Sequence, residues 1–364
     1  MTQDTRIARQ LGPPLDLLKE TLQSHRYALS LNEENADVLF NTAQVLTSLA
    51  ETLYDSNGDE AKTEAIPLLQ EAIELFSSCL TRQELEYETQ TQMQAAQPDE
   101  EDNAATAPSA PPAQPPSPSE SSPNTSDAAH EYATVIEPIT PATLLETLVA
   151  QLTALTTLTD LSTPAPSSHL ALLSSLASPL ITNKIPSYLS LIPSTSPAAS
   201  SASAEPTGPT LTLSSSGAAV VSQPKPARSP REEARSDAAL ATASFHAAMA
   251  EAEFRSALVS APNYAARMSE AFEPLVSPAA EAEVSTEVLC AYADQLVDFA
   301  DAVGEGEGAG SGGETVELRV KALERAGEML ERAAGMPERE GAPSKGEIAE
   351  GLREVMERRA GLGI

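Results

Sequence analysis

The chain of 364 residues is predicted to be all-α. Apolar residues recur three and four positions apart in one segment after another, the period of a single helix face. No run alternates apolar and polar residues between hairpin turns, and Val220-Val221 is an isolated pair in linker-like composition. Prolines number 29, and two Pro-rich stretches interrupt the helical pattern.

The elements follow in order. Leu15, Leu17 and Leu18 begin an apolar stripe directly after Pro13-Pro14. Leu39, Ala43, Leu46 and Ala50 share one helix face, and Ala65, Leu68, Leu69, Ala72, Ile73 and Phe76 repeat that spacing. Thr140-Pro141 is a helix start, a hydroxyl N-cap followed by proline at the first helical position. Leu144, Leu145, Leu148, Leu152 and Leu155 then continue at helical intervals. Further helices are expected over 247–258, 288–303, 316–334 and 348–360.

Residues 98–129 open on Asp99-Glu100-Glu101-Asp102 and continue in Pro, Ser and Ala; residues 193–235 are rich in Ser, Ala and Pro. Neither has the bulky apolar side chains that offset ordering entropy, so both are expected to be disordered insertions. A third interruption is the Gly-rich loop 304–313. The expected organisation is therefore helices over 10–92, an acidic Pro-rich linker over 93–130, a helical pair over 131–193, a second linker over 194–235 and C-terminal helices over 236–361.

The helices come in pairs with a shared signature. Ala65, Leu69 and Ala72 place small residues seven apart with a bulky one between, and Ala250, Phe254 and Ala257, followed by Pro262, do the same. Two helices approach closely only where small residues face each other, and each pair leaves an apolar face that the next pair covers. On these residues the sequence resembles the tetratricopeptide repeat family. Leu39, Thr42, Ala43 and Leu46 occupy first-helix positions of one unit, and Leu289, Tyr292, Ala293 and Leu296 those of another, whose second helix carries Ala326, Leu330 and Ala333. Two departures stand out. Leu46 and Ala65 lie 19 residues apart where the family has 9, which implies an insertion near 51–60, and 304–313 is a similar interruption. The resemblance implies an α-α superhelix, or solenoid, interrupted by long disordered insertions. It also implies a non-catalytic scaffold that binds protein.

Charge narrows the partner. With 22 Lys and Arg against 53 Asp and Glu, the chain carries −31. This argues against nucleic acid or an anionic membrane surface, both of which need a basic footprint. Residues 1–92 carry −10, residues 93–136 −7, residues 137–235 −1 and residues 236–364 −13, so most of the charge lies on the helical segments. The expected partner is a basic protein captured in a salt-dependent way. In general plan the chain resembles fungal tetratricopeptide chaperones that escort a basic ribosomal protein, and acidic histone chaperones. The alternative is a general scaffold that binds a neutral or apolar peptide in its groove. A clamp for an acidic peptide is disfavoured, because Asn41 has Asp37 rather than lysine beside it.

Nothing points to catalysis. The four histidines, His25, His130, His169 and His246, lack a second ligand at metal spacing. Cys79 and Cys290 read as inert thiols on apolar helices. The run Gly304-Glu305-Gly306-Glu307-Gly308 lacks the Lys-Ser/Thr of a phosphate loop, and its glutamates would repel phosphate. No cofactor, metal or enzymatic activity is expected. Asn124-Thr125-Ser126 matches the glycosylation pattern, but no secretory signal or membrane span is evident, so a cytoplasmic or nuclear location is expected. Ser117, Ser122, Ser196 and Ser229 each precede proline, and 225–231 is a basic cluster that reads as a weak nuclear import signal.

Overall fold

Proline and its preceding residue set where many of the helices begin. Proline at the first or second position opens α1 (Pro14–Leu31), α4 (Pro141–Leu161), α6 (Ile185–Leu191), α7 (Pro230–Arg255) and α8 (Ala261–Val276). Its missing N–H is one the first turn leaves unpaired in any case, and its fixed φ is already helical. The other helices are α2 (Ala36–Asp55), α3 (Asp59–Ala96), α5 (Ser167–Pro179), α9 (Thr286–Glu305), α10 (Glu314–Ala334) and α11 (Lys345–Gly361). A π-helical turn, Leu180–Lys184, joins α5 to α6 between Pro179 and Pro186 and absorbs the irregularity those prolines impose. This computed structural model describes residues 13–55, 59–96, 138–194, 229–277, 284–305, 313–337 and 342–362, and among them every regular element is helical. The greater part of both expected linkers lies outside the described residues, as do His130, Asn124, Ser117, Ser122, Ser196 and 225–228.

Hydroxyl caps complete the starts. Thr140 accepts from the Thr143 N–H, as its position predicts. Ser229 and Ser344 form reciprocal capping boxes with Glu232 and Glu347. Asn35 accepts from the Val38 N–H at 3.0 Å and Ser285 from the Val288 N–H at 3.2 Å.

The helices α2, α4, α7 and α9 form a line, each packing on the next. The remaining helices flank it: α1 packs on α2, α3 on α2 and α4, α5 and α6 on α4 and α7, α8 on α7 and α9, α10 on α9, and α11 on α10. Two large apolar cores result, beside a small cluster of Ala36, Leu39 and Cys79, and α7 belongs to both large ones. Ala238, Ala241, Phe245, Met249 and Ala252 face the first core, while Ala243, Ala247 and Ala250 face the second. A helix covered on two sides needs small residues on both, which accounts for its alanines. Buried polar ties fix the α3–α4 contact: the Thr147 hydroxyl donates to Gln83 at 2.8 Å, and Gln151 donates to Ser77 at 2.7 Å.

The paired units are visible in burial. Ala36, Leu39, Thr42, Ala43, Leu46, Leu49, Ala50 and Leu53 of α2 are buried, and so is every residue 250 positions later in α9. Ala65, Leu69 and Ala72 in α3, and Ala326, Leu330 and Ala333 in α10, are buried to the same register. The caps Asn35 and Ser285 stand at that same offset. The residues read as an insertion near 51–60 do not form a long loop. Their first half continues α2 by more than a turn, to Asp55, and Asp59 already begins α3. Gly304, expected at the start of a loop, lies inside α9; a Cβ there would meet the Arg319 guanidinium carbon at 2.6 Å, so glycine admits that side chain.

The match at Ala250, Phe254, Ala257 and Pro262 requires correction. Ala250 is buried, and Phe254 is partly buried and stacks on Tyr264, but Ala257 is exposed and lies beyond the end of α7. Its φ is +56°, and the bonds Ala257 N–H to Phe254 O at 2.9 Å and Leu258 N–H to Glu253 O at 2.8 Å form a Schellman cap. Ala257 thus ends the helix instead of packing against a neighbour. Pro262 opens α8, consistent with its expected place after the pair. Helix α7 also starts at Pro230, well before the expected 247, because Ser229, Pro230 and Glu232 supply a complete start signal. A left-handed residue with a Cβ is strained, so Ala257→Gly should raise stability by about 0.5–1 kcal/mol, read as a higher urea midpoint.

Candidate functional site

Carboxylates converge where the line of helices α2, α4, α7 and α9 runs together. Asp160 comes from the end of α4, Glu251 from α7 and Asp298 from α9, and Tyr54 of α2 faces the same group. Their positions follow from packing: Leu158 and Leu161 bury the other face of α4's last turn, Ala250 and Ala252 flank Glu251, and Leu296, Phe299 and Ala300 bury the back of α9. The acids are what each helix leaves toward water.

The cluster holds one cation of its own. Arg255 donates to Glu251 at 2.6 Å and to Glu305 at 2.8 Å, so both its neighbours are acidic and it is strongly held in its charged form. The Tyr264 hydroxyl lies 3.5 Å from the second Glu251 oxygen. Crowding by protein raises the proton affinity of Asp298 to about 6, with Glu251, Asp294 and Asp301 adding to it and Arg358 opposing. Asp160 is raised for the same leading reason, reinforced by Glu251 and Asp298 and opposed by Arg255. Both carboxylates keep an open edge to solvent. They stand in a crevice rather than an interior. Asp294, one turn before Asp298, is raised by burial and by Glu354.

The equivalent surface of α2 is different. At the positions of Asp294, Asp298 and Asp301 in α9, α2 carries Gln44, Ser48 and Glu51. Asn41 lies on this exposed surface of α2. The acidic zone is therefore concentrated toward the α4–α7–α9 end of the line. Arg358 of α11 reaches Asp301 at 3.0 Å and borders it.

A second concavity lies on the other side of α7. Helix α7 floors a groove of about 820 Å³, with α5 and α6 on one side and α8 on the other. Ile181, Ile185, Leu189, Phe245, Met249 and Leu275 give it an apolar lining. His246 is exposed and borders this groove, and partial burial lowers its proton affinity. Arg267 and Glu253 close one side as an ion pair.

The residues read from sequence as repeat-packing positions lie in the helix interfaces, apart from Ala257 and Pro262, which are exposed. The convergence of Asp160, Glu251 and Asp298 was not legible, because the three are scattered in a chain where acids are common. The one readable signal was the spacing Asp294, Asp298, Asp301, which shares a helix face. Cys79 is buried with its thiol 3.3 Å from the Ala36 carbonyl oxygen, and burial pushes both Cys79 and Cys290 to about 11, so neither is an activated nucleophile. Among the described residues, no group of three or more His, Cys, Asp or Glu is placed to hold a metal ion, and no helix is long and apolar enough to cross a membrane. No protein-family model, no curated protein and no solved structure matches this chain.

Proposed function

We propose that the protein is a non-catalytic, tetratricopeptide-like superhelical scaffold that captures a basic segment of a partner protein along the face of α2, α4, α7 and α9, as an escort does. A cytoplasmic or nuclear location belongs to this reading. The observation that carries it is the convergence of Asp160, Glu251 and Asp298 from three successive helices, with Asp294 and Asp301 extending the same zone. Among the described residues, Arg255 is set among them but is already paired with Glu251 and Glu305, and Arg358 at the border is paired with Asp301 and Glu354. A lysine or arginine from a partner would relieve the repulsion among the remaining carboxylates, which makes the gain larger than at isolated surface acids. The repeated burial register of α2–α3 and α9–α10 supports the superhelical reading, since stacked pairs expose one continuous inner face.

The test uses the full chain and a synthetic arginine- and lysine-rich peptide, with binding followed by fluorescence at rising salt. Replacing Asp160, Asp294 and Asp298 by asparagine together should weaken binding about tenfold or more and flatten its salt dependence. Unchanged affinity in that variant would sink the proposal. A second reading, a scaffold for an apolar peptide, rests on the groove floored by α7. It would be favoured by a partner from cell extract that stays bound at high salt and is lost when Met249 is replaced by a charged residue.

A further inference from the structure

One sequence motif that the proposed binding face does not use stands at a structurally defined point. Ser229 precedes Pro230, is half-exposed, and caps α7, the helix shared by both cores. Lys225, Arg228 and Arg231 flank it in sequence. Its hydroxyl accepts from the Glu232 N–H at 3.3 Å and donates to the Glu232 carboxylate at 2.9 Å. Arg231, two residues on, donates to the Ser194 hydroxyl at 2.9 Å, which ties the residues after α6 to the start of α7.

We propose that Ser229 is the phosphoacceptor of a proline-directed protein kinase, and that its phosphate draws Arg231 away from Ser194. In the transfer, the Ser229 oxygen attacks the γ-phosphorus of ATP and the bond to the β–γ bridging oxygen breaks. ADP leaves, and the hydroxyl proton passes to the kinase's base. The phosphoserine retains no proton to donate to Glu232, so the capping box opens on the carboxylate side. The phosphate stays at the positive end of α7, where backbone N–H groups favour it. Arginine pairs far more strongly with a dianionic phosphate than with a neutral hydroxyl, and Arg231 is within two residues. Losing its bond to Ser194 loosens the junction beside the apolar groove, whose lining begins with Arg235 and Ala238 one and two turns further along α7.

Other candidate positions lack one of these properties. Ser344 has the same cap geometry, with bonds of 2.8 and 3.3 Å to Glu347, but Lys345 follows it instead of proline. Thr140 precedes Pro141 and caps α4, but the charged residues nearest to it in sequence are the acids Glu137 and Glu146. Ser178-Pro179 lies within helix rather than at its start, so an extended peptide cannot be drawn from it by fraying one terminal turn. The first turn of α7 can fray in that way.

The test treats the full chain with a cyclin-dependent kinase and ATP, and reads site occupancy by fragment mass spectrometry. Phosphate should enter at Ser229 and not at Ser344. Amide exchange over 191–194 should then quicken about three- to tenfold, the loss of one surface hydrogen bond. Arg231→Gln, without kinase, should give the same quickening. If a synthetic peptide spanning 222–236 is phosphorylated but the full chain is not, the proposal is overturned. Occupancy at Ser229 with unchanged exchange over 191–194 overturns the switch of Arg231.

Discussion

Truncation of Tyr264 to alanine is expected to lower stability by about 3–5 kcal/mol, the cost typical of deleting a buried aromatic ring. The ring is fully buried at the meeting point of α7, α8 and α9. Phe254 of α7 stacks on it at 5.4 Å between ring centres, and Phe299 of α9 packs against it at 4.9 Å. One side chain therefore holds three helices together, and alanine neighbours such as Ala261 are too small to collapse into the void. In a chain with only 13 aromatic residues, such a contact has few substitutes. Tyr264→Phe separates ring from hydroxyl. The hydroxyl is 3.5 Å from Glu251, long for a hydrogen bond, so this change should cost less than about 1 kcal/mol. Urea unfolding of both variants checks the prediction. A small loss for alanine, or equal losses for the two variants, would mean that the aromatic cluster does not hold the junction.

The second large effect is a gain in stability on mild acidification. Asp160 and Asp298 bind protons more tightly in the fold than in the unfolded chain. A carboxyl of that kind favours folding most below its unfolded value near 3.9, and the advantage is lost as pH rises through its folded value. For Asp298 that window runs from about 4 to about 6, and for Asp160 it extends further upward. The charged groups that set it are Glu251 and Arg255 on α7, Asp294 and Asp301 on α9 and Arg358 on α11, and Tyr54 on α2 and Tyr264 on α8 face the same carboxyls. Because both carboxyls keep an edge in water, screening reduces the gain between pH 7 and pH 5 to about 1–2 kcal/mol for the pair. Stability at pH 5 should therefore exceed that at pH 7. Asp160→Asn with Asp298→Asn should raise stability at pH 7 and flatten the profile between pH 5 and pH 7. A wild-type profile that falls steadily from pH 7 to pH 5 would contradict this account. The same acids are those proposed to bind a basic partner, and acids that repel one another in the free protein gain most from a bound cation.

The all-α class and the approximate place of most helices were already in the sequence, and the physical reason is local. Helical spacing of Leu39, Ala43, Leu46 and Ala50, or of Ala326, Leu330 and Ala333, needs only neighbours three and four positions away. Start signals are local too, as at Thr140-Pro141, and the box Ser229-Pro230-Arg231-Glu232 marks the start of α7 within otherwise linker-like composition. The termini were less legible. Ala250, Phe254 and Ala257 fit a packing signature by type, yet whether an alanine at the third position packs or caps depends on where the backbone turns left-handed. The extra residues after Leu46 similarly extend α2, because Leu49, Ala50 and Leu53 find apolar neighbours along α3 that spacing alone does not reveal.

The two concavities belong to tertiary structure. Asp160, Glu251 and Asp298 are far apart in a chain with 53 acids, and only the line of α4, α7 and α9 selects those three. The groove beside α7 exists because α5 and α6 on one side and α8 on the other both pack on it and line its walls. Sequence by itself determined which faces are apolar, where several helices start and that the chain is strongly acidic, because each is a property of a short segment or of composition. Which acids meet, which alanine ends a helix and where a groove opens were decided by packing, because each depends on the relative placement of segments whose separation in the chain carries no record of it.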